Sequence, residues 1–178
     1  MSISPVTERL WWKTPMDREE AIWVTIAFVW CLFMFFMMPY WHVFGKQNLA
    51  HAAVKTNAEA YMNKANAMVE KYKVREETDQ KIPVVRPPAD SDVYLVARLW
   101  SWWPILELEA GKTYKIHLMS MDWLHGFSLQ PENINIQVHP GYDHAVTMTP
   151  TQKGSFAIIC NEYCGVNHHT MISRIYVK

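Results

Sequence analysis

The sequence predicts a mainly β protein, an antiparallel β-sandwich, held to a membrane by one N-terminal helix. Two observations carry this prediction. A long uncharged apolar run lies near the N-terminus, and after residue 92 the chain breaks into short β-branched or alternating runs separated by turn residues. An unbroken apolar stretch indicates a membrane helix, whereas a period of two indicates strands.

Composition excludes several classes of protein. The chain has 178 residues, with 17 basic and 17 acidic side chains. This balance argues against a nucleic-acid partner, because such proteins carry a basic face. Hydrophobic residues make up 50% of the chain, which excludes a disordered protein. Its three cysteines are too few for a disulfide scaffold and cannot all pair within the chain.

The apolar run predicts a transmembrane helix over residues 21–44, with residues 1–20 on the cytoplasmic side. The run AIWVTIAFVWCLFMFFMM and its extension to residue 44 carry no charge. At about 1.5 Å per residue the segment spans about 36 Å, enough to cross a bilayer core of about 30 Å. Trp23 and Trp41 stand near its two ends, as interfacial aromatics do. The charged residues that precede it argue against a cleavable signal peptide, and lysines and arginines on both sides leave the orientation undecided by charge.

Residues 45–92 are predicted to form a helical spacer and a linker. The first part is rich in Ala, Lys, Glu and Met, which favours a helix, and Pro83, Pro87 and Pro88 lie among charges near its end, which indicates a linker. The remaining residues, 93–178, contain runs such as TYKIHLMS, NINIQV and SFAIIC. Their spacing of about ten residues predicts the sandwich.

The strongest chemical signal is the run CNEYCGVNHHTM, which begins at Cys160. It lies between two strand-like runs, so its donors Cys160, Cys164, His168 and Met171 are expected on one loop. Two thiols, an imidazole and a thioether form a soft ligand set, which copper prefers. A mononuclear blue-copper site needs one cysteine, whereas two thiolates can bridge two copper ions. The second copper would need another imidazole, and His125 in WLHGF can supply it from the same pole of a sandwich.

This arrangement resembles the dinuclear CuA site of cytochrome c oxidase subunit II in its short single-span form. The resemblance rests on the pattern C-x-E-x-C-G-x-x-H-x-x-M, on WLHGF and on the anchor, and it covers the span and residues from about 93 to 178. It implies a cupredoxin-like fold in which two bridging thiolates and two terminal imidazoles hold the copper pair. It also implies weak axial ligands and a magnesium ion bound by a carboxylate at the boundary with subunit I. The positions that match are Cys160 and Cys164 as bridges, His125 and His168 as terminal ligands, Met171 and the Glu162 carbonyl as axial ligands, and the Glu162 carboxylate for magnesium.

Three further groups of residues carry expectations. Trp100, Trp102 and Trp103 resemble the aromatic segment at which cytochrome c docks and electrons enter, although core packing can account for some of these rings. Glu20 resembles a carboxylate near a proton channel of subunit I, whereas a first-turn carboxylate is also favoured by the helix dipole. Asp122 and Asn167 are polar neighbours of the proposed ligands, and we expect them to orient the imidazole rings.

The resemblance implies the electron-entry subunit of a terminal haem-copper oxidase. In that family the subunit receives electrons from cytochrome c or another soluble donor. It passes them to haem in subunit I, which reduces dioxygen, and it has no catalytic site of its own. A copper pair spreads the charge of one electron over two metals, which keeps the reorganisation energy of electron transfer low. The implied location is a bacterial or archaeal cell membrane, with the span in the lipid bilayer and the copper domain on the periplasmic or outer side.

Alternatives remain open at this point. A haem-copper nitric oxide reductase can use the same subunit, and the catalytic subunit decides between the two gases. A membrane-anchored copper chaperone of thioredoxin-like α/β fold also combines two cysteines with a distant histidine. A Cys160–Cys164 disulfide leaves the histidine and methionine spacing unexplained, and a zinc site leaves Met171 without a role. The residues expected to be structural or superficial are His117, His139, His144, His169 and the membrane thiol Cys31.

Overall fold

The computed structural model describes residues 15–45, 52–77 and 81–178. The chain divides into a first unit that ends at Gly45 and a second unit that takes in the rest of the chain.

The first unit contains one long helix, α1 (Arg18–Phe44), of 27 residues. The side chain of Asp17 caps its N-terminus by accepting the backbone N–H of Glu20 at 2.7 Å, which satisfies one of the free donors of the first turn. No residue of α1 is buried within the unit, and its mean hydropathy reaches 2.3. A helix that is apolar on every face suits lipid rather than a protein core. This helix is consistent with single-pass membrane anchoring. It begins three residues before the predicted segment.

The second unit is a sandwich of two β-sheets. One sheet is built from β1 (Ala52–Lys55), β4 (Asp92–Arg98), β5 (Ser101–Trp103), β7 (Tyr114–Ser120) and β10 (Tyr142–Met148). The other is built from β2 (Lys73–Glu77), β3 (Ile82–Val85), β6 (Ile105–Leu108), β8 (His125–Leu129), β9 (Ile134–Val138), β11 (Gly154–Cys160) and β12 (Ile172–Val177). The strand orders are β1-β10-β7-β4-β5 and β2-β3-β6-β12-β11-β8-β9. The predicted mainly β sandwich is confirmed.

The pairing of the strands is mixed rather than wholly antiparallel, which differs from our expectation. Three pairs run parallel, namely β4 with β7, β12 with β6, and β3 with β6. The reason lies in the connections. After β5 the chain crosses to the other sheet for β6 and then returns, so that β7 lies beside β4 in the same direction, as crossover connections require.

Part of the segment expected to be a spacer packs onto the sandwich. Helix α2 (Ala58–Tyr72) begins after Asn57, whose side chain accepts the backbone N–H of Glu59 at 2.8 Å. One face of the helix is buried, formed by Tyr61, Ala65, Met68 and Val69. This spacing places apolar side chains on a single stripe.

The hydroxyl of Tyr61 fixes that stripe to the five-stranded sheet. It lies 2.8 Å from the carbonyl oxygen of His117 and 3.1 Å from that of Leu95. The strands β1, β2 and β3 also come from the expected spacer, and Val84 and Val85 are fully buried. The prolines near these valines indicated a linker, yet Pro83 is accommodated within β3. Residues 46–51 and 78–80 of that segment lie outside the described residues.

Candidate metal centre

The predicted copper ligands converge at one pole of the sandwich. His125 is the first residue of β8 and Cys160 is the last residue of β11, and these two strands are antiparallel neighbours. The start of one therefore lies beside the end of the other. The loop after Cys160 returns through a short 3-10 helix, His168–Thr170. The backbone N–H of Cys160 donates to the carbonyl of Met171 at 3.1 Å, which closes the loop.

The sulfur and nitrogen atoms of these residues form a continuous set of contacts. The two cysteine sulfurs are 3.8 Å apart. Each has its own imidazole, because Nδ1 of His125 lies 3.8 Å from Sγ of Cys160 and Nδ1 of His168 lies 3.6 Å from Sγ of Cys164. Cys160, Cys164 and His125 bring one donor atom each within 4.8 Å of one another.

Two weaker donors complete the arrangement. Sδ of Met171 lies 3.8 Å from Sγ of Cys164, and the carbonyl oxygen of Glu162 lies 3.3 Å from Sγ of Cys160. Each cysteine sulfur is therefore flanked by one imidazole and by one weak donor, either a thioether or a carbonyl. The set of thiols, imidazoles and thioether suits copper, and its symmetry about the two sulfurs suits a pair of ions.

The centre is nearly closed to water. His125 and Met171 are fully buried, and the exposed fractions of Cys160 and Cys164 are 4% and 2%. Burial, together with the hydrogen bond and charge of neighbouring Cys160, raises the pKa of the Cys164 thiol to about 12. A metal cation that binds here must displace a thiol proton, so proton release accompanies metal uptake.

Asp122 orients His125 from the far side of the ring. Its Oδ1 lies 2.7 Å from Nε2 of the imidazole, which leaves Nδ1 facing the sulfur. The backbone N–H groups of Leu99 and Trp123 donate to the same carboxylate at 2.7 and 2.6 Å. Burial opposes ionisation, but these hydrogen bonds outweigh it and lower the pKa of Asp122. The carboxylate is the kind of outer partner that fixes a metal-binding histidine.

Asn167 plays a different part from the one expected. Its carbonyl accepts the backbone N–H and the hydroxyl of Thr170 at 3.0 and 2.8 Å. Among the described residues its side chain has no hydrogen bond, so the contact that we expected with an imidazole is not present. Asn167 instead stabilises the turn that carries His168.

The three tryptophans occupy different environments. Trp100 is partly buried, and its Nε1 donates to the carbonyl of Cys164 at 3.1 Å. Trp102 has an exposed fraction of 1% and packs edge-on against His125 and Phe127, with ring centroids 6.3 and 5.5 Å away. Trp103 is half-buried at the end of β5. Trp100 is therefore the tryptophan with a hydrogen bond to a ligand residue, and Trp102 is a core residue.

Two contacts at the centre were missed from the sequence. Gly126 lies so close to the ligand loop that an added Cβ would stand 2.0 Å from Oδ1 of Asn161 and 2.9 Å from the backbone nitrogen of Glu162. The glycine directly after the ligand His125 was the available signal. The ring of Trp102 holds the same histidine from a second side, and its buried Nε1 has no hydrogen-bond partner among the described residues.

Several other candidate side chains have contacts or exposure of their own. Nε2 of Gln137 donates to one carboxylate oxygen of Glu162 at 2.8 Å. Nδ1 of His117 lies 2.7 Å from Oδ2 of Asp143. Nε2 of His144 accepts the backbone N–H of His139 at 3.2 Å. The side chain of His169, next to the proposed ligand His168, is exposed. Cys31 and Glu20 on α1 are exposed as well.

The fold and the geometry bear on the alternatives. A β-sandwich is not the α/β fold of a thioredoxin-like chaperone. Cys160 and Cys164 are free thiols. Their sulfurs are 3.8 Å apart, whereas a disulfide bond is about 2 Å long. The sulfur of Met171 belongs to the cluster, which a zinc site would leave without a role.

Comparison with known proteins identifies related chains. Residues 105–177 match the family described as cytochrome c oxidase subunit II, periplasmic domain. A cytochrome c oxidase subunit 2 of Thermus thermophilus is 36% identical over 92 residues, which cover 51% of this chain and 68% of the relative. A probable cytochrome c oxidase subunit 2 of Streptomyces coelicolor is 38% identical over 74 residues, but these cover 23% of that longer protein.

Two solved structures share the fold. A chain from the cryo-EM structure of a haem-copper terminal oxidase dimer superimposes with a TM-score of 0.55 and 21% identity, covering 90% of this chain and all of that one. A rusticyanin variant superimposes with a TM-score of 0.50 and 19% identity, covering 73% of this chain and all of the rusticyanin. Both identities are low, so these likenesses describe the fold alone, a cupredoxin-like sandwich.

Proposed function

The chain belongs to the cytochrome c oxidase subunit II family, and from this premise we propose that its sulfur cluster holds a dinuclear CuA centre. Membership makes the chain the electron-entry subunit of a haem-copper oxidase, in a complex with subunit I. The residues that would hold it are two cysteines, two histidines and two weaker donors: Cys160, Cys164, His125, His168, Met171 and the carbonyl of Glu162.

One observation carries the proposal. Each cysteine sulfur has its own imidazole, at 3.8 Å for His125 and 3.6 Å for His168, and the two sulfurs are 3.8 Å apart. A mononuclear site would use one thiolate and both imidazoles. A copper pair held by these residues would supply a centre that exchanges one electron at a time.

The protein's own contribution is to keep these donors still and dry. Asp122 and Trp102 fix the ring of His125 from two sides, and the strand ends fix Cys160 and Met171 through a backbone hydrogen bond. Burial excludes water from the sulfurs. Donors that cannot relax favour rapid electron transfer, because little rearrangement accompanies the change of charge.

For the path of electrons, we propose entry through Trp100 from cytochrome c or another soluble donor. The support is the hydrogen bond from its indole to the carbonyl of Cys164. Trp102 is too deeply buried to meet a donor, and among the described residues the indole of Trp103 makes no hydrogen bond to a ligand residue. Electrons would then leave for haem in subunit I, where dioxygen is the proposed acceptor.

The proposed setting is a bacterial or archaeal membrane, with residues 1–20 in the cytoplasm and the copper domain on the periplasmic or outer side. The support is the apolar helix α1 together with the periplasmic domain family that matches the chain. Protease digestion of sealed vesicles of known orientation tests this topology, since cleavage of the copper domain from the cytoplasmic face would contradict it.

Two further roles are proposals. The second carboxylate oxygen of Glu162 has no hydrogen bond among the described residues, and a magnesium ion at the boundary with subunit I would use it. Replacement of magnesium by Mn²⁺ tests this by electron paramagnetic resonance (EPR), and Glu162→Gln should remove the signal. Glu20 is proposed to lie at the mouth of a proton channel, and Glu20→Gln should slow proton uptake by the complex.

The decisive experiment for CuA uses the purified complex. We expect a pair of copper ions per chain, a purple colour and the multi-line EPR pattern of a delocalised pair. Cys160→Ser and Cys164→Ser should each abolish that pattern, whereas Met171→Leu should keep copper and shift the potential. Cys31→Ser is the control, because this thiol lies exposed on α1. One copper per chain without the pattern would contradict the proposal.

A further inference from the structure

A pocket lies where strands β6 and β12 end and strand β11 begins. Its volume is about 340 Å³, at the lower end of the range of about 300–1,000 Å³ for cavities that hold small molecules. Its charged lining comes from the ends of four strands, namely Arg86 after β3, Glu107 on β6, Lys153 before β11 and Lys178 after β12. Because β11 runs for about 20 Å from Gly154 to Cys160, the pocket lies at the far end of that strand from the copper ligands.

Cations outnumber carboxylates among the side chains of this pocket. The charged side chains that line it are Arg86, Lys153, Lys178, Glu107 and Glu109. The side chains of Arg86 and Lys178 are 46% and 58% exposed, whereas the side chain of Glu107 is 1% exposed. Lys153 is exposed as well. The cationic groups are therefore accessible to a ligand from solvent, while the carboxylate of Glu107 is not.

The carboxylate of Glu107 has no lone pair left for further donors. Its Oε1 accepts Nε of Arg86 at 2.6 Å and is also paired with Nη2 of the same guanidinium. Its Oε2 accepts Nη1 of Arg75 at 2.7 Å and lies 3.0 Å from Nζ of Lys178. A carboxylate offers about four lone-pair positions, so these four contacts occupy all of them.

Donors of the pocket therefore remain free for a second anion. Lys153 makes no hydrogen bond or ion pair among the described residues. The guanidinium of Arg86 has more N–H groups than one carboxylate oxygen can accept, and Nζ of Lys178 has more protons than its one contact with Glu107 uses. Glu109 makes no ion pair within the described part of the chain. Its charge opposes an anion in the pocket, whereas the three cations attract one.

We propose that this pocket binds an oxyanion of the phosphate class, held by Lys153, Arg86 and Lys178. A phosphate group carries a charge of about −1.5 to −2 at neutral pH and three strong acceptor oxygens, and arginine and lysine are the side chains that pair with it. The bound oxyanion joins the ends of β3, β11 and β12. It stabilises the folded sandwich, because it binds the folded state alone. The site is independent of the proposed CuA centre.

The test is calorimetric titration of the purified complex in a buffer free of phosphate. The probes are inorganic phosphate, glycerol phosphate and tripolyphosphate, each compared with potassium chloride at equal ionic strength. We expect saturable binding, with tripolyphosphate about tenfold tighter than phosphate because its additional charges meet more of the free donors. Tighter binding of glycerol phosphate than of inorganic phosphate would identify a lipid headgroup as the source of the oxyanion, and the reverse order would identify a soluble ion.

Variants locate the binding site within the complex. Lys153→Gln should weaken binding of the oxyanion about tenfold, because it removes a charge-assisted hydrogen bond, and Lys153→Arg should keep it. Glu109→Gln should strengthen binding, because a like charge leaves the pocket. The matched control is Lys64→Gln at an exposed lysine on α2, which should bind the oxyanion as the wild type does.

Three results would overturn the oxyanion site. They are a lack of saturable binding beyond that of chloride, wild-type affinity in Lys153→Gln, or an equal loss of affinity in Lys64→Gln, which would mean general attraction by surface charge. The copper spectrum of the same samples keeps this inference separate from the CuA proposal. Lys153→Gln should leave that spectrum unchanged, and a wild-type complex without the dinuclear pattern would contradict CuA alone.

Discussion

At the residue scale, Gly126 marks the closest approach between the two segments that carry copper ligands. It follows His125, and it faces the backbone of Glu162 and the side chain of Asn161. We predict that Gly126→Ala shifts the ligand loop, because a Cβ would overlap Oδ1 of Asn161 and crowd a backbone atom. We expect a cost of about 1–3 kcal/mol in the free energy of unfolding, as for other overpacked sites, and a distorted copper spectrum.

Gly111→Ala is the control for that substitution. Gly111 has φ +76°, so alanine there is strained, but an added Cβ would meet nothing within 4 Å. Thermal unfolding and EPR should report lower stability with an unchanged copper centre. An intact spectrum in Gly126→Ala, with unaltered stability, would show that the loop gives way easily.

Asp122 sets both the orientation and the basicity of His125. Asp122→Asn keeps an oxygen at hydrogen-bond distance from Nε2 but removes a negative charge beside the centre. We predict that copper remains bound and that the reduction potential rises, because a less basic imidazole stabilises the oxidised metal less well. Redox titration followed optically measures this, and an unchanged potential would mean that the carboxylate acts by position alone.

At the scale of secondary-structure elements, α2 belongs to the folded unit rather than to a spacer. The hydroxyl of Tyr61 on α2 lies within hydrogen-bond distance of the carbonyl oxygens of Leu95 on β4 and His117 on β7. We predict that Tyr61→Phe lowers the free energy of unfolding by about 1–2 kcal/mol, because buried carbonyls lose a donor. Tyr72→Phe is the matched control on the same helix, since the Tyr72 hydroxyl has no hydrogen bond among the described residues. Equal stability of the two variants in chemical denaturation would contradict the docking of α2.

A buried carboxylate joins several strands of the seven-stranded sheet. Glu107 on β6 accepts hydrogen bonds from Arg75 on β2 and from Arg86 after β3, and it pairs with Lys178 after β12. Burial alone would raise the pKa of Glu107, but the hydrogen bonds from these cations outweigh it and lower the pKa to about 2.

This depressed pKa predicts acid sensitivity. The stabilisation from ionised Glu107 is fully present above its unfolded pKa of about 4.5, and it is lost as the pH falls through about 2. The loss should be on the order of 3 kcal/mol. Denaturant unfolding between these pH values measures it, and Glu107→Gln should flatten the dependence. Glu70→Gln, at an exposed carboxylate on α2, should leave it unchanged.

At the scale of the whole molecule, one helix decides whether the chain is held in a membrane. We predict that the full chain resists alkaline carbonate extraction and that Val29→Arg weakens this resistance. An arginine near the middle of a span costs about 2.5–3.5 kcal/mol in insertion. Val43→Arg near the end of α1 is the control, because a long side chain there reaches the interface. Equal extraction of both variants would contradict a spanning helix.

Local patterns predicted much of this architecture. The uncharged run predicted α1, because a helix that crosses a membrane meets lipid on every face. Alternation in segments such as TYKIHLMS predicted strands, because successive side chains of a strand point to opposite faces of the sheet. The copper donors were also predictable, since Cys160, Cys164, His168 and Met171 lie within one loop and Asp122 lies three residues before His125. The role of Asn167 was not predictable, because adjacency to His168 does not fix whether its side chain contacts the imidazole.

The sequence by itself determined the membrane helix, the β class and the donor set, because these follow from hydrophobic period and from donor chemistry at short spacing. The tertiary structure decided which long-range contacts form. It made α2 part of the sandwich through Tyr61, ran β7 parallel to β4, and separated buried Trp102 from Trp100 at the surface. The physical reason is that a side chain's burial depends on elements packed against it from distant positions, which a local pattern does not contain.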